Sequence, residues 1–184
     1  TTAEHDAERR DFTINGLFFD PLEEQVIDYV GGEQDLQAGV VRAIRDPRER
    51  FAEDKLRMLR AIRFAATFDF EIEQQTFAAI QSMSSEISSV SAERIGMELR
   101  RMLVHENRRV AMQLLHESGL MNPIVPALAD CDAATFQSTL EVLSLVHDPS
   151  LPLALAALLG RGEDPEQGPQ LAKRLRYTNK EAEC

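Results

Sequence analysis

The stretch Glu53-Asp54-Lys55-Leu56-Arg57-Met58-Leu59-Arg60-Ala61-Ile62-Arg63-Phe64 sets one carboxylate and three guanidinium groups at intervals of three residues. At about 100° per helical residue, Asp54, Arg57, Arg60 and Arg63 share one half of the wheel. Leu56, Met58, Leu59, Ile62, Ala65 and Ala66 fill the other half. One face is suited to packing and the other presents charge. Glu53 precedes Arg57 by four residues, the favourable order for a pair along a helix, and can hold that guanidinium in one direction. A carboxylate accepts hydrogen bonds and a guanidinium donates them in a planar fork, so Asp54 and Arg57, one turn apart, form a complementary edge. Such an edge suits the Watson–Crick face of cytosine or adenine, with Asp54 accepting from the exocyclic amino group and Arg57 donating to ring acceptors. Arg60 and Arg63 would then face phosphates. A solvated, salt-bridged helix face has the same periodicity, and spacing alone leaves both readings standing.

The elements around this segment are mostly helical. Phe12, Ile14, Leu17, Phe18 and Phe19 lead into the turn signal Asp20-Pro21, and Val26, Ile27, Tyr29 and Val30 form a β-prone run closed by Gly31-Gly32, which predicts at most a hairpin. Two short strands need helices or further strands to be stable. Helices are expected from about Glu49 to Ala66, Glu73 to Met83, after an N-cap at Ser91, and over Asn107 to Ser118 with Gly119 as its C-terminal cap. Asp132 to about His147, Leu151 to Leu159 and Pro169 to Arg176 complete the series. The first forty residues read as the end of a larger unit, and the charged stretch before Cys184 carries no stop signal, so both ends are expected to lie inside a longer protein.

The 184 residues carry 31 acidic and 20 basic side chains with 43% hydrophobic content, which excludes collagen, coiled-coil and disordered classes. The net charge of -11 argues against a broad phosphate-gripping surface. The charge is uneven, however. Arg42 to Arg63 holds eight basic side chains against four acidic ones, and all but Lys55 are arginine, the residue suited to planar and phosphate recognition. Cys131 and Cys184 are far apart and form no C-x-x-C pair, as expected for a reducing, cytoplasmic setting. The longest apolar run, Leu151 to Leu159, is about half of a membrane span. His147-Asp148 lacks further ligands at metal spacing, and Pro149 makes Asp148 read as a helix end. No phosphate-binding G-x-x-x-x-G-K-[ST] loop or G-x-S-x-G nucleophile turn occurs.

Four motifs occur in order: RRDFTINGL from Arg9, IDYVGGEQDL from Ile27, EDKLRMLRAIRFA from Glu53 and SAERIGMELRRML from Ser91. Together they resemble the tRNA nucleotidyltransferases that add CCA and their bacterial poly(A) polymerase relatives, continuously from about Asp6 to Leu128. The resemblance implies a mainly α fold: a short β-hairpin remnant of the nucleotidyltransferase head over 1–41, a helical neck with the nucleotide-reading helix over 42–105, and part of a helical body over 106–184. It makes Asp54 and Arg57 an amino-acid template for incoming CTP or ATP, oriented by Glu53. It makes Arg10, Arg60 and Arg63 nucleotide ligands, with Asp11 and Asn15 supporting the same pocket. Gly31 and Gly32 match a flexible head–neck connection. Glu93, Arg94 and Glu98 match a later motif to which a structural role is expected.

The implied activity is template-independent addition of CMP and AMP to the 3′ end of tRNA. The alternatives are a poly(A) polymerase-type relative or a non-catalytic helical RNA-binding module. In the family, Mg2+ is held by a D-x-D pair behind a G-G-x-x-R-D segment, both upstream of RRDFT, and neither precedes that motif here. No catalytic or metal residue is therefore assigned to this chain, which is expected to be inactive alone. Arg45 stands where many relatives carry glycine.

Overall fold

The computed structural model describes residues 2–129, 131–160 and 166–178. The fold is mainly α, with two small two-stranded sheets. Helix α1 spans Ala3–Glu8, strands β1 (Phe18–Asp20) and β2 (Gln25–Ile27) form the hairpin, and α2 spans Gly32–Ala38. The hairpin is shorter than the apolar runs suggest. Phe12 bridges Ala43 instead, and Thr13–Asn15 is a 3-10 turn.

Two devices fix the RRDFT segment beside the helices. The Thr13 amide donates to the Arg42 carbonyl at 3.0 Å and the Ile44 amide to the Asp11 carbonyl at 3.2 Å. Buried Asp35 accepts from the Thr13 hydroxyl at 2.7 Å and pairs with Arg42. Strand β3 (Val40–Val41) then pairs in parallel with β4 (Glu71–Ile72), tying the start of the helical region to its first long helix. Two residues per strand are too few for any periodicity to reveal. Arg45 has φ 64, the left-handed conformation that glycine adopts freely, and its guanidinium pairs with Glu8.

Helix α3 covers Pro47–Glu53 and α4 covers Leu56–Phe68. The expected continuous helix from Glu49 to Ala66 is interrupted at Asp54, which takes an extended conformation with φ -149 and ψ 104. The cause is local: the Asp54 carboxylate accepts the Leu56 amide at 3.1 Å, the cap interaction that makes aspartate better at starting a helix than at continuing one. Leu56, Met58, Leu59, Ala61, Ile62, Ala65 and Ala66 of α4 are buried, as the wheel requires. Fully burying each large side chain is worth about 1.5–3 kcal/mol. Asp69 ends the helix at φ 57.

After α5 (Gln74–Met83), α6 (Ala92–Leu103) starts from the Ser91 hydroxyl, which accepts the Arg94 amide at 3.4 Å. It packs Ile95, Leu99, Met102 and Leu103 into the core that α4 and α7 (Arg108–Glu117) share. Short α8 (Met121–Ile124), then α9 (Ala133–Leu145), α10 (Leu151–Leu159) and α11 (Gln167–Arg174) extend that core through Leu140, Leu143, Leu155 and Leu158. Buried Arg108 donates to the carbonyls of Leu103 at 3.1 Å, Leu143 at 3.2 Å and Val146 at 2.8 Å, satisfying acceptors that helix C-termini leave open. Cys184 lies outside the described residues.

The chain after α11 closes onto α6 at Gly96. The Tyr177 hydroxyl donates to the Gly96 carbonyl at 2.7 Å, and a Cβ at Gly96 would stand 2.7 Å from the Leu175 carbonyl oxygen. That neighbour is backbone and cannot rotate aside. Gly96→Ala is therefore expected to cost about 1–3 kcal/mol through overpacking. Chemical denaturation checks this, and an unchanged midpoint would contradict the packing described.

Candidate functional site

Where α4, the start of α6 and the RRDFT segment meet, a cavity of about 520 Å³ opens. Asp54, Leu56, Arg57, Arg60 and Phe64 line it from the α3–α4 junction and α4, Arg10, Asp11 and Asn15 from the N-terminal segment, and Arg94 from α6. Residues separated by more than eighty positions thus share one wall.

Each lining arginine is held by a carboxylate. Arg57 donates through Nη1 to Glu53 Oε2 at 2.6 Å and to the Arg50 carbonyl at 2.9 Å, so two acceptors fix its plane. Glu53 also pairs with Arg50, and the Arg57 guanidinium, with help from Arg50, holds the Glu53 carboxyl below its ordinary range. Arg60 meets Asp11 Oδ2 at 2.6 Å. The other oxygen of buried Asp11 accepts the Asn15 amide side chain at 2.8 Å and the Phe12 amide at 3.0 Å, so Asp11 and Asn15 support Arg60 from behind. Arg10 reaches Asp6 at 2.9 Å and the Asn15 carbonyl at 2.9 Å, with its guanidinium over the Phe18 ring. These charge-assisted bonds set the donors in place before any ligand arrives.

Asp54 is the sole carboxylate apart from Asp11 on the wall. Its Oδ2 accepts Arg94 Nη2 at 2.7 Å. Burial alone would raise its pKa. Bonds from Arg94 and the Leu56 amide, with the fields of Arg94 and Arg57, outweigh burial and hold it below the ordinary 3.8. A depressed carboxyl keeps its charge, and the stability its partners lend, above its unfolded pKa and loses both as pH falls through the folded value. At neutral pH Asp54 is therefore an acceptor only.

The structure separates Arg63 from the cavity. Its Nε donates to Oε2 of buried Glu98 at 2.6 Å, and its guanidinium lies 4.0 Å from the centre of the Phe64 ring. The wheel gave Arg63 the direction of Arg57 and Arg60, but a carboxylate thirty-five residues away claims it. Gly31 has φ 79 and open space where a Cβ would stand, whereas a Cβ on Gly32 would lie 2.2 Å from the Thr13 carbonyl oxygen. Gly31 meets a conformational need and Gly32 a close approach. Two residues do more than spacing reveals. Arg94, for which a structural role is expected, bonds Asp54 and also stands on the cavity wall. Arg50, 5% exposed, ties α3 to the carbonyls of Arg9 and Arg10. Arginines dense around an aspartate were the available signal, but partners forty residues apart leave no periodic trace.

Comparison with known proteins matches residues 1–42 to the poly A polymerase head domain and residues 69–132 to the probable RNA and SrmB-binding site of polymerase A. The chain belongs to the family of CCA-adding enzymes and bacterial poly(A) polymerases. Poly(A) polymerase I of Salmonella typhimurium is 41% identical over 125 residues, covering 68% of this chain and 27% of that protein. The CCA-adding enzyme of Enterococcus faecalis is 46% identical over 104 residues, covering 56% of this chain and 25% of that protein. The chain thus spans about a quarter of the length of these curated relatives. In three dimensions, the Bacillus stearothermophilus CCA-adding enzyme, solved in complex with CTP, superposes with a TM-score of 0.80 at 27% identity, over 98% of this chain and 45% of that one. Between the two matched segments of this family member lies α4, and with it the arginine-rich wall. No helix among the described residues is long and apolar enough to cross a membrane.

Proposed function

We propose that this protein selects CTP and ATP for template-independent addition of CMP and AMP to the 3′ end of tRNA, in the cytoplasm. The carrying observation is the pair formed by Asp54, an ionised acceptor, and Arg57, a donor fixed by Glu53, on one wall of a cavity able to admit a nucleotide. Cytosine and adenine each offer an amino donor beside a ring acceptor, the reverse of this edge. Uracil and guanine offer a carbonyl beside an N–H and would set an oxygen against the Asp54 carboxylate. Arg10 and Arg60 lie on the same wall for the triphosphate and sugar, and Arg63 supports the wall through Phe64. Support comes also from the solved relative with CTP and, for an RNA partner, from the matched polymerase segment over 69–132. We take 1–41 as head, 42–105 as neck and 106–184 as body, with Gly31 as the position that leaves room for a hinge. The 41% identity to a poly(A) polymerase keeps ATP-only addition as the second reading.

In the overall reaction the RNA 3′-hydroxyl displaces pyrophosphate from the nucleotide α-phosphorus. Family members rely on Mg2+ for charge stabilisation in that step. Among the described residues no three His, Cys, Asp or Glu side chains cluster to hold a metal. The donors present therefore do not fit that ion, and no transfer step is assigned to them. Competition titration with the four nucleoside triphosphates tests the selection. CTP and ATP are expected to bind at least about tenfold more tightly than UTP and GTP, the scale of one charged hydrogen bond. Equal affinity for all four would refute it.

A further inference from the structure

Asp54 shares the cavity wall with guanidinium groups from two different helices. Arg57 comes from α4, and its field contributes to the lowered Asp54 pKa. Arg94 comes from the first turn of α6, bonds Asp54 Oδ2 through Nη2 and is half exposed on the cavity wall. A guanidinium carries five N–H donors in one plane, so a group bonded to a carboxylate through one of them still presents an edge to whatever that carboxylate binds. The wall thus offers one acceptor with two donors, not the two-member edge on which the function proposed above rests.

The two bases differ in their fit to three members. Adenine presents the N1 acceptor, the N6 amino donor and the N7 acceptor in that order, and N7 and N6 are the pair that proteins commonly read with bidentate side chains. Cytosine presents N3 and the N4 amino group, but a carbon-bound hydrogen follows where adenine has N7. We infer that Arg94 is a specificity-determining residue of the base-reading site, donating to adenine N7 while Asp54 accepts from N6, so that its free donor favours ATP and meets no acceptor on CTP. The same bond to Asp54 keeps the carboxylate turned toward the base. Arg94 therefore joins recognition of the amino group, common to both bases, to recognition of a feature only adenine has. This rests on the nucleotide reading proposed above and adds the residue that tells its two substrates apart.

The test is equilibrium titration of the protein with ATP, CTP and 7-deaza-ATP, in which N7 is replaced by C–H. The unaltered protein is expected to bind ATP about tenfold more tightly than 7-deaza-ATP, the scale of a hydrogen bond from a charged donor. In Arg94→Ala that ratio falls to about one, and ATP weakens by a larger factor than CTP, which loses only the hold that Arg94 has on Asp54. Equal binding of ATP and 7-deaza-ATP by the unaltered protein overturns the inference, and needs no variant to fold. So does an Arg94→Ala protein in which ATP and CTP weaken by one common factor with the ATP to 7-deaza-ATP ratio preserved, since Arg94 would then act on Asp54 alone. Asp54→Ala separates the two levels. If it weakens both nucleotides while the unaltered protein ignores N7, only the role of Arg94 fails; if it weakens neither, the base-reading site itself fails.

Discussion

Alanine at Asp54 or at Arg57 is expected to cut the preference for CTP and ATP over UTP and GTP by about tenfold or more. The magnitude follows from the logic of paired groups that a bound base would cover. A correct base satisfies Asp54 and Arg57 together, whereas a wrong one leaves both unpaired and opposes a carbonyl to a carboxylate, at about 1–3 kcal/mol per unsatisfied group. Removing either residue abolishes its own share of that penalty, so wrong bases gain relative to right ones. Asp54→Asn is the sharper variant. Its amide offers donors where the carboxylate offered none, and uracil O4 and guanine O6 become acceptable partners, so UTP and GTP should rise in absolute affinity. Arg57 also depends on Glu53, half exposed but bonded to it at 2.6 Å, and its substitution should give a milder version of the Arg57 result. Relative affinities or incorporation of the four nucleotides provide the measurement. Unchanged selectivity in both alanine variants would remove Asp54 and Arg57 from base reading.

The largest expected stability effect lies at Glu98. Its side chain is 4% exposed and bonds Arg63 at 2.6 Å and Arg101 at 2.9 Å, and Arg63 itself is 14% exposed and stacked on Phe64. Breaking a buried pair by removing one partner leaves an uncompensated charge, which costs about 3–5 kcal/mol. Glu98→Ala should fall near the lower end, about 3 kcal/mol, because Arg63 can turn partly toward water. For a chain of this length that corresponds to a fall in melting temperature of roughly 10 °C. Glu98→Gln keeps shape and one acceptor and should lose less. Phe64 lines the cavity, so nucleotide affinity should weaken alongside stability. A Glu98→Ala protein with an unshifted melting temperature would show that Arg63 does not depend on this partner.

What could be read without coordinates was what neighbours along the chain decide. The apolar positions of α4 repeat with helical period and are buried. Ser91 and Gly119 carry the local chemistry of helix ends, and the structure uses Ser91 as a cap and Gly119 at φ 77. Glu53 and Arg57 are one turn apart and meet. What could not be read was decided across distance. The break at Asp54 pits a cap against a helix, and its outcome is reinforced by Arg94 forty residues on. The claims of Glu98 on Arg63 and of Asp11 on Arg60 are invisible to a wheel, which treats three arginines at equal spacing as equivalent. The two-residue parallel pairing of β3 with β4 carries no pattern at all.

The buried guanidinium of Arg108 has a mechanical meaning. By gripping the carboxyl ends of α6 and α9 at once, it joins the helix bearing Arg94 and Glu98 to the helices beyond it. Removing the guanidinium would leave the carbonyls of Leu103, Leu143 and Val146 without that donor at once, so the ends of two helices depend on a third. One side chain thus answers for the contact between the Arg94 side of the cavity and the helices beyond α7, and no second guanidinium among the carbonyl contacts described above repeats that grip.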